Sequence, residues 1–174
     1  AASDVGAVTD KEMLLDETIG FEDWVFTYGC ASMGNPHMVV LVDDVVRFPI
    51  ETVGPYFEKH PMFKNKCNVS FAQIIDRETI LMDTWERGVG RTMACGTGTC
   101  AAAAVLHKMG LVEHKIRACL SGGDLTIESV GDVIFMTGPA QVVFTGDIEL
   151  DTPSIEDNLL SAVTVYGAER LGGR

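Results

Sequence analysis

A cysteine that stands directly before a glycine-rich turn is the residue of this sequence best suited to chemistry. Cys95 precedes Gly96 and Gly98 within residues 85–104, which read WERGVGRTMACGTGTCAAAA. The alanine-rich end of this segment predicts a helix, and a helix N-terminus carries unpaired N–H groups and a partial positive charge. Both features bind anions and stabilise a thiolate. We therefore expect Cys95 to be reactive at neutral pH, and the adjacent N–H groups to suit a substrate carboxylate.

Local physics leaves two other interpretations of this segment. In the first, Cys95 is only a small packed residue beside a glycine-rich helix start. In the second, residues 96–101 match the dinucleotide-binding fingerprint GxGxxA. The second is disfavoured, because residues 87–94 do not read as a buried strand and the strands predicted after Met109 alternate without further crossover helices.

Three other places carry polar side chains that suit a ligand. Asn35, in the segment MGNPH, is either an ordinary turn residue or an amide that both donates to and accepts from a ligand. Asn68 begins a predicted strand and has the same two interpretations. Glu86 and Arg87 form either a solvated surface pair or, if the arginine is buried, a guanidinium that grips a carboxylate with two hydrogen bonds.

Composition and charge narrow the class of protein. The 174 residues, 47% of them hydrophobic, are enough to bury one substantial core, and the net charge is −12 with no basic run. This charge argues against nucleic acid or an anionic membrane as the main partner, because both select clustered lysine and arginine. The sequence also has no apolar stretch long enough to cross a bilayer, and its first residues are acidic where a signal peptide would be basic.

The cysteines predict a reducing compartment. They are odd in number and lack the tight spacing of a disulfide framework or a CxxC metal site, and the histidines are scattered relative to them. We interpret them as reduced thiols in a cytoplasmic protein, without a metal site. The five are Cys30, Cys67, Cys95, Cys100 and Cys119.

A helix over residues 97–109 must position the chemistry. It is alanine-rich on every face, which favours burial all round. Thr97 or Thr99 is the predicted N-cap, and Gly110 stands where a left-handed residue is wanted. A mixed, mostly antiparallel sheet is predicted to wrap round this helix in a barrel-like layer, which makes the fold class α+β.

The sheet is assembled from strands on both sides of that helix. We expect a short strand at Val5–Val8 followed mostly by loop to residue 24, a strand from Met38, a short helix in TVGPYFEKH, and an antiparallel pair joined by a turn at residues 76–78. Four further strands are predicted in KIRACLS, DLTIES, VIFMTG and AQVVFTG. Residues 151–174 are more polar, with an amphipathic piece at SIEDNLLSAV.

Four segments resemble, in order and spacing, the second domain of diaminopimelate epimerases. They are SMGNPHMVVLVDD, CNVSFAQ, the long block WERGVGRTMACGTGTCAAAA, and MTGPAQVVFTGDIEL, which together span residues 32–150. The long block is specific, because proline racemases share only the CGTGT core. The resemblance implies residues 1–31 lead in from a missing amino-terminal domain, residues 32–150 form the catalytic domain, and residues 151–174 are an extension.

The resemblance also implies a mechanism. A two-domain enzyme of this family holds diaminopimelate between its halves, and each half supplies one cysteine. One thiolate removes the α-proton while the opposite thiol returns a proton to the other face, without pyridoxal phosphate or a metal. Cys95 corresponds to one of these cysteines, with the backbone N–H groups of Gly96 and Thr97 on the α-carboxylate.

Carried over by position, the remaining candidates surround the rest of the amino acid. The backbone carbonyls of Glu86 and Arg87 would bind the α-ammonium group. Asn35, Asn68 and the Arg87 side chain would bind the distal end.

The sequence holds no second block of this kind, and Cys100 lies on the same helix as Cys95. The chain therefore reads as half of an epimerase, active only with its partner domain; a homodimer is also compatible. A racemase half acting on another amino acid, and a non-catalytic amino-acid-binding or assembly module that retains the fold, are the alternatives. A second thiol-bearing domain in the full reading frame would discriminate between an enzyme and a module.

Overall fold

The computed structural model describes residues 1–147, in which one sheet and two α-helices form the main elements. The helices are α1 (Ile50–Glu58) and α2 (Gly96–Lys108). The strands are β1 (Glu17–Phe21), β2 (Trp24–Ser32), β3 (Pro36–Leu41), β4 (Asn68–Asp76), β5 (Thr79–Glu86), β6 (Gly90–Thr92), β7 (Lys115–Leu120), β8 (Gly123–Val130) and β9 (Val133–Thr137). All of them lie in the compact unit Ala1–Pro139, and a second unit begins at Ala140.

The sheet is mixed and mostly antiparallel. Its nine strands run in the order β1-β2-β3-β4-β5-β7-β8-β9, and the short β6 pairs with β5 off this path. Only two pairings within the described residues are parallel, β3 with β4 and β5 with β7. Each parallel pairing needs a crossover, and α1 and α2 lie in those two crossovers.

The sheet curves round α2, because this helix lies against strands from both ends and the middle of the strand order. A Cβ added at Gly96 would lie 3.1 Å from the Met136 side chain of β9, and one added at Gly98 would lie 2.9 Å from Ser70 Oγ of β4. Near the other end of α2, a Cβ added at Gly29 of β2 would lie only 2.6 Å from the Val105 side chain. The predicted α+β class, a mixed sheet wrapped round one central helix, is confirmed.

The alanines of α2 explain this close packing. Ala101, Ala102, Ala103 and Leu106 are buried in one apolar cluster with β-strand residues such as Ile127. Short side chains let the helix backbone approach the sheet on several sides, and burial of the cluster stabilises the arrangement. The helix ends as predicted, since Gly110 follows it with φ 76 in the left-handed region.

Helix α1 covers the opposite face of the sheet and forms a second apolar cluster. Val53 and Phe57 of α1 are fully buried there with Phe71 of β4. Contact between α1 and β5 is tight, because a Cβ added at Gly54 would lie 2.7 to 2.9 Å from three atoms of the Trp85 side chain. The strand that carries Glu86 is therefore fixed from both faces.

The sequence predicted most of these elements. Helix 97–109 corresponds to α2, TVGPYFEKH to α1, and the antiparallel pair to β4 and β5. KIRACLS, DLTIES and VIFMTG correspond to β7, β8 and β9, which form the predicted meander. The strand predicted from Met38 is β3, although it ends at Leu41, because Asp44 Oδ1 then accepts the N–H groups of Val46 and Arg47 in a turn.

Two local predictions were wrong. Residues Ala2–Val5 form a 3₁₀-helix where a strand was expected at Val5–Val8. The expected loop before residue 24 instead contains β1, paired with β2. The acidic residues suggested a loop, but Asp16 and Glu22 occupy positive-φ positions that flank β1 and leave its residues free to pair.

The last of the four strands predicted after α2 is not found in the structure of residues 1–147. Residues 140–147 contain no helix or strand, so AQVVFTG is not a strand in the part of the chain described. Apolar composition alone does not make a strand, because the backbone also needs a partner edge to pair with. The amphipathic piece at SIEDNLLSAV and the rest of the extension, residues 151–174, lie outside the described residues.

Replacing Gly54 by alanine should destabilise the chain. Alanine normally stabilises a helix interior by up to about 1 kcal/mol relative to glycine. Here the added methyl group would overlap the Trp85 side chain, and overpacking of this kind costs about 1 to 3 kcal/mol. Urea denaturation followed by circular dichroism measures the free energy of unfolding.

The matched control is Thr52→Ala, at an exposed position of the same helix. We expect it to change the free energy of unfolding by less than about 0.5 kcal/mol. A Gly54→Ala variant as stable as the parent chain would contradict the packing of α1 on β5.

Candidate functional site

Cys95 is the N-cap residue of α2. Its Sγ accepts the N–H of Gly98 at 3.3 Å, and its backbone is extended, with φ −134. Thr99 donates its hydroxyl to the Cys95 carbonyl oxygen at 2.8 Å. The predicted caps, Thr97 and Thr99, are therefore wrong, because the sulfur itself takes the capping role that their hydroxyls were expected to fill.

The sulfur lies at the edge of the surface. Cys95 is 8% exposed, Thr97 beside it is exposed, and Thr97 Oγ1 lies 3.5 Å from Sγ. Gly96 and Thr97 occupy the first turn of α2, where N–H groups have no acceptor inside a helix. These two N–H groups and the sulfur belong to the same helix end, where the helix dipole favours negative charge.

The chain before Cys95 is anchored on the turn between β7 and β8. Gly122 N–H and Ser121 Oγ both donate to the Met93 carbonyl oxygen, at 2.8 and 3.0 Å. A Cβ added at Gly122 would lie 3.0 Å from the same oxygen. A glycine here lets the turn lie directly under the segment that delivers Cys95 to the helix.

Polar side chains occupy the sheet face beneath the start of α2. Residues that share a register position point to the same face, and the apolar residues of this face pack under the rest of α2. Asn68 and Ser70 of β4, and Thr84 and Glu86 of β5, alternate with residues of the opposite face. In β3, His37 pairs with Asn68 on this same face. The sheet brings together side chains that are separated by up to 49 positions in the sequence.

Asn68 ties β3 to the turn after β5. Its Nδ2 donates to the Pro36 carbonyl oxygen at 3.0 Å, and its Oδ1 accepts the Arg87 N–H at 3.0 Å. The side chain is 5% exposed. Asn68 therefore positions its neighbours, while one amide hydrogen and one lone pair are left for a ligand.

Asn35 is paired with a buried histidine. Its Oδ1 lies 3.0 Å from His37 Nε2, and because an amide oxygen only accepts, Nε2 carries the proton. Burial, and secondarily the positive charge of Arg87, lowers the pKa of His37 to about 4. His37 is therefore neutral at pH 7, and the Asn35 side-chain NH₂ remains available to a ligand.

Glu86 and Arg87 lie where β5 ends. Glu86 Oε1 accepts the Thr92 hydroxyl at 2.6 Å, and its carbonyl oxygen accepts the Val89 N–H at 3.1 Å. Arg87 is exposed, and its guanidinium donates to the Asn65 carbonyl oxygen at 3.1 Å. Of the two interpretations of Arg87 offered by the sequence, the structure shows the exposed side chain and not the buried one.

Sequence reasoning missed Glu58, a buried carboxylate at the end of α1. It accepts the Trp85 indole N–H at 3.0 Å and the Gly88 N–H at 3.1 Å, and it lies 3.7 Å from Lys66 Nζ. Burial alone would raise the pKa of the Glu58 carboxyl, but these hydrogen bonds and nearby lysine charges lower it overall. Through Trp85 and Gly88, Glu58 holds the turn that carries Glu86 and Arg87. The one sequence feature that could have indicated this role is an acidic residue directly after apolar residues at the end of α1.

The other four cysteines are held in the protonated form. Burial raises the pKa of the Cys30 thiol to about 12, and burial together with neighbouring Cys30 and Glu58 raises that of Cys67. Burial is also the main cause of the raised pKa of Cys100 and Cys119. All five cysteines are free thiols, and Cys100 lies on α2 itself.

A concavity of about 910 Å³ lies elsewhere, beyond the carboxyl end of β3. Trp24, Phe26, Phe48 and Asp44 are among its lining residues, and Cys95 is not. Within residues 1–147, no group of three or more His, Cys, Asp or Glu residues is arranged to hold a metal ion. The helices of that same part of the chain are all too short or too polar to cross a membrane.

Comparison with known proteins matches this chain to one family model. The family described as diaminopimelate epimerase matches residues 29–143. A diaminopimelate epimerase of Methanococcus maripaludis is 43% identical over 151 residues, which are 86% of this chain and 54% of the relative. One from Moorella thermoacetica is 48% identical over 140 residues, 79% of this chain and 50% of the relative. The chain spans about half the length of the curated relatives it matches.

A crystal structure of a hydroxyproline epimerase from Agrobacterium vitis is also similar. The similarity covers 71% of this chain and 44% of that one, with a TM-score of 0.45 and 20% sequence identity.

Cys95 should be the most reactive thiol of the native chain. It is the one cysteine at a helix N-terminus, whereas the other four have raised pKa values that keep them protonated at pH 7. We expect iodoacetamide at pH 7.5 to modify Cys95 at least about tenfold faster than any other cysteine. Peptide mass spectrometry after timed quenching measures the individual rates. Faster modification of Cys30, Cys67 or Cys119 would contradict the assignment.

Proposed function

Because the chain belongs to the diaminopimelate epimerase family, we propose that it is the carboxy-terminal half of an enzyme that interconverts LL- and meso-diaminopimelate. This proposal is supported by the match to only about half the length of the curated relatives. The proposed enzyme works in the cytoplasm, supplies precursors of lysine and peptidoglycan, and uses neither a metal nor pyridoxal phosphate.

The observation that carries the proposal is the position of Cys95 at the start of α2. In the reaction, the thiolate takes the α-proton as the Cα–H bond breaks, and the electron pair left on Cα delocalises into the carboxylate. A thiol on the opposite face then donates a proton to Cα. The N–H groups of Gly96 and Thr97 suit that carboxylate, because charge that develops on it meets donors already oriented by the helix.

The remaining candidates are proposed to bind the rest of the substrate. The carbonyl oxygens of Glu86 and Arg87 lie where β5 ends and are proposed to accept hydrogen bonds from the α-ammonium group. Asn35 and Asn68 each retain amide hydrogens toward a ligand. The exposed Arg87 guanidinium, together with these two amides, is proposed to bind the distal amino-acid end, where its planar fork matches a carboxylate.

Inversion at one carbon needs a second acid/base group on the other side of the substrate. The two groups must each approach the reacting atom to within about 3 to 3.5 Å from opposite faces. Cys100 lies on α2 with Cys95 and cannot face it across a ligand. We therefore propose an amino-terminal partner domain that carries the second cysteine and closes the site against water, which strengthens every electrostatic interaction within it.

This proposal predicts that the 174-residue chain alone will not epimerise diaminopimelate, and that adding its amino-terminal partner domain will restore turnover. Conversion of LL- to meso-diaminopimelate is followed by chiral chromatography. In the mixture, Cys95→Ala should lower the rate by at least about a thousandfold, because it removes a group that transfers the proton.

Cys100→Ala is the matched control, since it removes the other thiol of this segment, five residues after Cys95. It should leave turnover within about threefold of the parent mixture. Turnover by the chain alone that Cys95→Ala abolishes would show a second base within this chain. A folded mixture that binds diaminopimelate without inverting it would instead favour the non-catalytic module.

A further inference from the structure

A buried hydroxyl without a partner lies directly behind the candidate site. Ser70 is fully buried, and its Oγ has no hydrogen-bond partner among the described residues. A buried polar atom left unpaired costs about 1 to 3 kcal/mol, so such atoms are uncommon and invite an explanation. The position of Ser70 beneath the first turn of α2 suggests one.

Ser70 Oγ and Cys95 Sγ flank the same point in space. A Cβ added at Gly98 would lie 2.9 Å from Ser70 Oγ and 3.2 Å from Cys95 Sγ. Both atoms thus lie near the position that a side chain of residue 98 would occupy, and glycine has only a hydrogen there. The sulfur already accepts the Gly98 N–H and has capacity for another donor when it is ionised.

A second unpaired hydroxyl adjoins the first. Thr84 is the register partner of Ser70 on β5, and its Oγ1 is also buried without a partner in the described part of the chain. Both hydroxyls lie on the sheet face that α2 covers. Two neighbouring buried hydroxyls, each without a partner, therefore lie on the sheet face beneath the start of α2.

We propose that the Ser70 hydroxyl is a positioning residue that donates a hydrogen bond to the Cys95 thiolate, with the Thr84 hydroxyl donating to Ser70 in turn. A neutral thiol accepts hydrogen bonds only weakly, so the Ser70 hydroxyl has no strong acceptor in that state. Ionisation of Cys95 provides a strong acceptor, and a change of side-chain torsion then completes the two hydrogen bonds. This inference rests on the proposed function, in which Cys95 works as a thiolate.

The proposal gives stability and reactivity opposite responses to Ser70→Ala. Removing an unpaired buried hydroxyl should leave the thermal midpoint unchanged or raise it, because nothing is lost from the thiol form. The rate of Cys95 alkylation by iodoacetamide at pH 7.5 should fall about tenfold, since a charge-assisted donor to the thiolate is lost. At pH 10.5, well above the ordinary cysteine pKa of about 8.5, the two rates should agree within about twofold.

A second variant and a matched control complete the test. Thr84→Val, which keeps the shape of the side chain, should slow alkylation at pH 7.5 by about threefold. Thr126→Val removes a hydroxyl from β8 on the face away from α2, because its neighbour Ile127 packs in the cluster with α2, and should change nothing. The ionisable groups nearest on this face, His37 and Glu86, and Cys100 on α2 stay unchanged in each variant.

These measurements use the 174-residue chain and need no epimerase activity. They therefore test the role of Ser70 separately from the reaction with a partner domain. An alkylation rate for Ser70→Ala within twofold of the parent at pH 7.5 would overturn the proposal. A large fall in the thermal midpoint of Ser70→Ala would also overturn it, because Ser70 would then be supporting the resting fold.

Discussion

The first turn of α2 can lie against the sheet only because residue 98 has no side chain. A Cβ at Gly98 would lie 2.9 Å from Ser70 Oγ and 3.2 Å from Cys95 Sγ, closer than normal contacts. This close approach fixes the height of the helix end above β4, and with it the position of the sulfur and of the free N–H groups beside it. Other elements hold the helix end in this position. The curved sheet encloses the helix, and the turn at Ser121 and Gly122 anchors the chain before Cys95.

The sheet contributes a second property, a face that is apolar under the body of α2 and polar under its N-terminus. Apolar burial along the helix stabilises the fold, while hydrogen bonds at its start order the side chains around the site. The Asn68 amide joins β3 to the turn after β5 through two hydrogen bonds. It still has one N–H and one lone pair with which to bind a ligand. Glu58 supports the same turn from the opposite face, through Trp85 and Gly88. The candidate ligand groups are therefore held in place without a substrate.

The sequence allowed the central helix and the family-like segments to be recognised, because their signals are local. Glycine spacing, an alanine run and a terminal Gly110 predict a buried helix without knowledge of its neighbours. Glu58 escaped notice because its importance arises from Trp85 and Gly88, some thirty positions away, and no local pattern encodes that contact. The hairpin of β1 and β2 was missed for a related reason: its acids were counted as loop formers, although two of them occupy the turns that flank β1.

The proposed reaction requires the start of α2 to bind a carboxylate, and amide chemical shifts test this most directly. In ¹⁵N-labelled chain titrated with meso-diaminopimelate, we expect the largest shifts at Gly96 and Thr97, with smaller ones at Asn35 and Asn68. Acetate should reproduce the shifts at Gly96 and Thr97 alone, because it carries only the carboxylate. Shifts confined to the concavity around Trp24 and Phe48, with Gly96 and Thr97 unmoved, would contradict the account.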